Sequence, residues 1–145
     1  MSRFRFSALF TMMFLFTAAM AIADPHGQQQ ASPFAGSTAA KIKEQMAGKN
    51  KPVLVDFRSL QAYKAGHIPG AVNIPSPAMK MLAPSRLPKN KTAPIIIYAE
   101  GQGYADTGRA ITAASKMGYT NINVFGGGMI EWVAMHYPVK KGSRP

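Results

Sequence analysis

Apolar residues follow two rhythms between Thr38 and Trp132. Short unbroken runs, Val53-Leu54-Val55-Asp56-Phe57, Ala71-Val72-Asn73-Ile74, Pro94 to Tyr98 and Asn121 to Phe125, have the length and β-branched content of buried strands. The third, Ile95-Ile96-Ile97-Tyr98, has no polar position, as expected of a strand covered on both faces. Between these runs the apolar residues recur at helical spacing. Thr38 predicts a cap for a helix whose Ala39, Ile42 and Met46 share one face before Gly48 stops it. Ala110, Ile111, Ala113, Ala114 and Met117 repeat in the same way, while Arg109, Thr112, Ser115 and Lys116 face outward and Gly118 ends the helix. Gly126-Gly127-Gly128 predicts a turn, and Met129 to Met135 a short helix bearing Trp132. Strands alternating with helices predict an α/β fold, a small parallel sheet flanked by helices on both faces.

The first residues follow another pattern. Arg3 and Arg5 precede an apolar stretch from Ala8 to Ala19, and Ala21-Ile22-Ala23 supplies a small-x-small cleavage site. Residues 1–23 therefore read as a signal peptide, too short in its apolar part for a membrane span of about 20 residues. The expectation is an exported chain, periplasmic in a Gram-negative host and otherwise secreted, with no stable span after cleavage. Residues 24–37 are rich in Gln, Ser, Pro and Gly and read as a flexible lead-in. The domain is expected over 38–142, with 143–145 as a tail.

Composition narrows the possible chemistry. The chain carries +11, and losing Arg3 and Arg5 with the leader would leave +9, so the surface favours anionic or acidic partners. The basic residues are scattered without interleaved aromatics, which argues against nucleic acid. There is no cysteine. An exported protein without disulfides must rely on packing for its stability.

Five segments stand in a telling order: Val55-Asp56-Phe57-Arg58, Gly66-His67-Ile68-Pro69-Gly70-Ala71-Val72-Asn73-Ile74-Pro75, Ile97-Tyr98-Ala99, Gly118-Tyr119-Thr120-Asn121-Ile122, and Phe125-Gly126-Gly127-Gly128-Met129-Ile130-Glu131-Trp132. In this order and spacing the chain resembles a single-domain rhodanese over residues 38–142. The resemblance implies an active loop between the third strand and its following helix. In active relatives a cysteine begins that loop, takes a sulfane sulfur from thiosulfate or a persulfide, and passes it to a thiol or cyanide. Backbone N–H groups curl around that sulfur, and the helix N-terminus behind them favours its negative charge. Here Ala99 stands at the nucleophile position. The loop also looks longer than in the shortest active members, and the arginine often found a few residues past the cysteine is replaced by Tyr104 and Ala105. Related phosphatases need the same cysteine and arginine, so phosphate-ester hydrolysis is excluded too.

Ala99, Glu100, Gly101, Gln102, Gly103 and Tyr104 are the active-loop equivalents, with possible ligand contacts; Tyr104 either fills the vacated pocket or presents a contact surface. Glu100 and Asp106 put carboxylates beside the loop, Asp106 as an expected helix cap, and Arg109 is expected to face solvent. Asp56 and Arg58 are expected to secure a strand end, His67 to hold a turn by hydrogen bonding, and Gly70 and Gly127 to serve the turns. Trp132 is expected to anchor the last helix. Apart from Met79-x-Met81 the methionines and histidines show no ligand spacing, so neither metal nor cofactor is implied. The function expected from sequence is a catalytically degenerate rhodanese-like module, not an enzyme, with a protein partner or a small anion as its ligand. The alternatives are a sulfurtransferase lacking its nucleophile and a basic surface-docking protein.

Overall fold

A computed structural model describes residues 37–101 and 104–145. The leader at 1–23, the lead-in up to residue 36, and Gln102 and Gly103 lie outside the described residues. Helix α1 (Ala39–Ala47) begins as the sequence predicts, with the Thr38 side chain accepting from the Lys41 N–H and Gly48 at its end. Strand β1 (Val53–Asp56) leads to α2 (Leu60–Ala65), β2 (Val72–Asn73), a 3₁₀ turn at Ser76–Ala78 and α3 (Met79–Arg86). Strand β3 (Ile95–Tyr98), α4 (Tyr104–Lys116), β4 (Ile122–Phe125) and α5 (Gly128–Ala134) complete the order. Two expectations need correction. α4 starts at Tyr104, so Asp106 is its third residue and not its cap, and Tyr104 opens the helix instead of belonging to the loop.

The four strands are all parallel in the order β2-β1-β3-β4, with Val55 opposite Val72 and Ile97, and Ile97 opposite Val124. Alternate side chains leave opposite faces of the sheet. On one face Leu54, Ile96, Tyr98 and Phe125 pack with Ala39 and Ile42 of α1, Tyr63 of α2, and Met129 and Trp132 of α5. On the other, Val55, Ile95 and Ile97 pack with Met79 and Ala83 of α3 and Ala110 and Ala114 of α4. All four residues of β3 are buried, which accounts for its wholly apolar sequence. Burying each of its isoleucines contributes about 1.5–3 kcal/mol relative to exposure. The α/β sandwich predicted from the two rhythms is thus the observed architecture.

The chain beyond α5 returns across the domain. Trp132 Nε1 donates to the Pro138 carbonyl at 2.8 Å, and the Tyr137 ring meets the indole edge-on. Lys140 forms an antiparallel bridge with His67, and the Gly142 N–H donates to the Lys64 carbonyl. His67 is fully buried and stacks on Tyr63 at 3.7 Å, with Nδ1 2.9 Å from the Tyr63 carbonyl and Nε2 3.1 Å from the Arg144 carbonyl. Its ring secures a turn and the C-terminal segment together.

Candidate functional site

In a parallel α/β sheet, ligand sites form at the carboxyl ends of the strands. β3 ends at Tyr98, and Ala99 follows it, half-buried. The backbone there is clamped from α5: the Met129 N–H donates to the Ala99 carbonyl at 3.1 Å, and the Ile130 N–H to the Glu100 carbonyl at 2.8 Å. This approach explains Gly128, which has φ +53° and on which a Cβ would lie 2.4 Å from the Ala99 oxygen. Gly127 is needed for a different reason. A Cβ there would collide with Glu131, whose Oε1 accepts from the Ala39 N–H at 2.7 Å.

A charged cluster sits against this loop. Asp56, at the end of β1, is fully buried and accepts through Oδ1 from the Arg58 backbone N–H at 2.9 Å and through Oδ2 from Arg58 Nη2 at 2.8 Å. Arg58 Nη2 also donates to the Gly66 carbonyl at 2.6 Å, and Nη1 donates to Glu100 at 2.8 Å. Burial opposes the guanidinium charge, but its hydrogen bonds to Asp56 and Glu100 and their charges outweigh that and hold the Arg58 pKa above its ordinary value. The Tyr98 hydroxyl accepts from the Ile68 N–H at 3.2 Å. Burial, with the Asp56 carboxylate beside it, pushes the Tyr98 phenol far above its usual range, so it stays protonated.

Sequence reasoning looked for an arginine downstream of Ala99. The structure brings one from upstream instead, because pairing of β1 with β3 places Asp56 opposite Tyr98 and carries Arg58 to Glu100. A cavity of about 320 Å³ opens beside the pair, lined by Phe57, Arg58, Ser59, Pro75, Pro77 and Ala99 among others. Ser59 is committed as the α2 cap, its Oγ accepting from the Ala62 N–H. His67 turns both ring nitrogens to main-chain carbonyls, and Trp132 anchors the tail, so neither offers a free group to this cavity. Gly101 lies where a Cβ would press on Ile130 of α5. Arg109 is exposed on α4.

The match to known proteins agrees with this geometry. Residues 38–135 match the family model of the rhodanese-like domain. The chain belongs to that family. Its relatives include the thiosulfate:glutathione sulfurtransferase of Saccharomyces cerevisiae, 32% identical over 63% of this chain and 73% of that protein. The adenylyltransferase and sulfurtransferase of Ogataea parapolymorpha is 30% identical over 61% of this chain, which spans only 22% of that longer protein. Among solved structures, a Bacillus halodurans protein superposes with a TM-score of 0.65 at 26% identity, covering 74% of this chain and 77% of that one. The rhodanese-like domain of an Anabaena protein gives 0.64, also at 26% identity, over 74% and 80% of the two chains. In this rhodanese-like domain the family match ends at residue 135, while the hydrogen bonds of Pro138, Lys140 and Gly142 tie the following segment to it.

Proposed function

We propose that this chain is an exported rhodanese-like domain that has lost covalent sulfur transfer and acts as a binding or accessory module. The observation that carries this reading is Ala99. It directly follows β3 and lines the cavity beside Arg58, where the family resemblance puts a cysteine, in a chain that contains no cysteine. A methyl group forms no thiolate and carries no sulfane sulfur. The cation lining that cavity is also occupied: Arg58 is held by Asp56 and Glu100, which lowers its capacity to bind a thiosulfate anion.

The expected result with thiosulfate and cyanide is no thiocyanate formation above buffer, although the yeast relative is named a sulfurtransferase. Thiocyanate that scales with protein concentration and survives repurification overturns the reading. Export rests on the pattern of Arg3, Arg5, the apolar stretch and Ala21-Ile22-Ala23. The mature protein is expected to begin at Asp24. Intact mass of the natively expressed protein decides it, a mass that retains residues 1–23 counting against cleavage.

A further inference from the structure

A larger cavity, about 730 Å³, lies away from the Ala99 loop, where Pro52 and Val53 enter β1 and Ile68 to Gly70 lead into β2. Its volume falls in the range of small-molecule sites, roughly 300–1,000 Å³. The wall is apolar, built from Met46, Val53, Ile68, Val72, Trp132 and Pro138. The charged groups lining it are all cationic: Lys43, Lys51 and Arg86, with no carboxylate among the lining residues. Among the described residues the ion pairs are Lys41 with Glu44, and Arg58 with Asp56 and Glu100, so none of these three cations is neutralised by one.

We propose that this cavity binds a single amphiphilic organic anion, an apolar chain of medium length ending in a carboxylate. The apolar wall takes the chain, because burying hydrocarbon against Met46, Val53 and Trp132 removes it from water. The carboxylate sits at Lys43 and Lys51, both exposed and therefore able to reach it without first being desolvated. Lys43 lies with its ammonium 4.2 Å from the Tyr137 ring centroid, close to the tail that closes one side through Pro138. Arg86 is partly spent, since it donates to the Asn73 carbonyl and so covers the edge strand β2. That contact disfavours the alternative in which a partner's strand extends the sheet at this point. A polyanion is disfavoured as well, because the three cations rim an apolar hollow instead of lining a groove.

The chain's single tryptophan, Trp132, lines the cavity and serves as the reporter. The full chain is titrated with decanoate, 1-decanol and acetate, following Trp132 fluorescence and the heat of binding. Decanoate is expected to give a saturable change, acetate none, and decanol binding at least about tenfold weaker, about 1.4 kcal/mol. The double variant Lys43→Glu/Lys51→Glu, altered only at exposed side chains, is expected to weaken decanoate at least about tenfold and leave decanol unchanged, with its thermal unfolding near that of the native chain. Equal affinities for decanoate and decanol, or a decanoate affinity that survives the charge reversal, overturn the proposal. So does the absence of both a fluorescence and a heat signal. Sedimentation of the protein with phosphatidylglycerol vesicles that decanoate does not compete away also overturns it, in favour of a membrane surface. Because this cavity shares no lining residue with the one beside Ala99, these outcomes are independent of the thiocyanate assay.

Discussion

Replacing Asp56 with alanine is expected to lower the stability of the domain by about 3–5 kcal/mol, the usual cost of removing one partner of a buried ion pair. The Asp56 side chain is inaccessible to solvent and that of Arg58 is 10% exposed, so loss of the carboxylate strands a desolvated guanidinium. Arg58 keeps Glu100 and the Gly66 carbonyl, which places the expected value near the lower end of that range. The Arg58 backbone N–H also loses the acceptor that turns the chain out of β1. Adding Arg58→Met to Asp56→Ala is expected to recover part of the loss, because the unpaired charge is then gone and the two substitutions are coupled through one contact. Urea unfolding of the two variants and the native chain gives both numbers. A loss under about 1 kcal/mol in Asp56→Ala means that the pair is solvated as a surface bridge would be.

Introducing a thiol by Ala99→Cys is expected to give a modestly acidified cysteine, with a pKa below the unperturbed ~8.5. Two effects compete. The guanidinium of Arg58, which lines the same cavity, favours a thiolate, whereas Glu100, next in sequence, opposes it. Glu100 also occupies Arg58 Nη1, so the cation is partly screened from any anion in the cavity. Adding Glu100→Gln removes the opposing charge and loosens Arg58 together. Ala99→Cys alone is expected to show at most weak sulfurtransferase activity; in the double variant the thiol pKa is expected to fall further, by about 0.5–1, and that activity to rise several-fold. The rate of alkylation against pH measures this, because it increases as pH rises through the thiol pKa. A pKa at or above the unperturbed value in both variants means that the loop provides no anion-stabilising environment.

The sheet was legible because each strand is a dense apolar run, and β3, covered on both faces, is the most uniform of them. The two longest helix signals were legible as well, since Ala39 and Ile42 on α1 and Ala110 and Ala114 on α4 repeat at helical spacing and are buried. The missed elements failed for local reasons. α2 has six residues, too few to show a period, and α3 carries Pro84 in its interior, which reads as a breaker. Pro84 has no N–H to give the helix, and its acceptor four residues back would be the carbonyl of Lys80, an exposed residue. The link between Arg58 and Glu100 spans 42 residues. It exists only once β1 pairs with β3, so no local pattern announces it. The distal cavity was hidden for the same reason, as its lining comes from α1, both strand entries, α5 and the tail. Asp106 misled because a carboxylate suits both a cap and the first turn.

Loss of covalent sulfur transfer is measured by intact mass after incubation with thiosulfate, with the native chain and Ala99→Cys treated side by side. The native chain is expected to gain no sulfur, while Ala99→Cys takes up at most one sulfur atom, removed by cyanide or a reducing thiol. A cyanide-labile sulfur on the native chain overturns the loss of sulfur transfer, because it requires a sulfur carrier in a protein without cysteine.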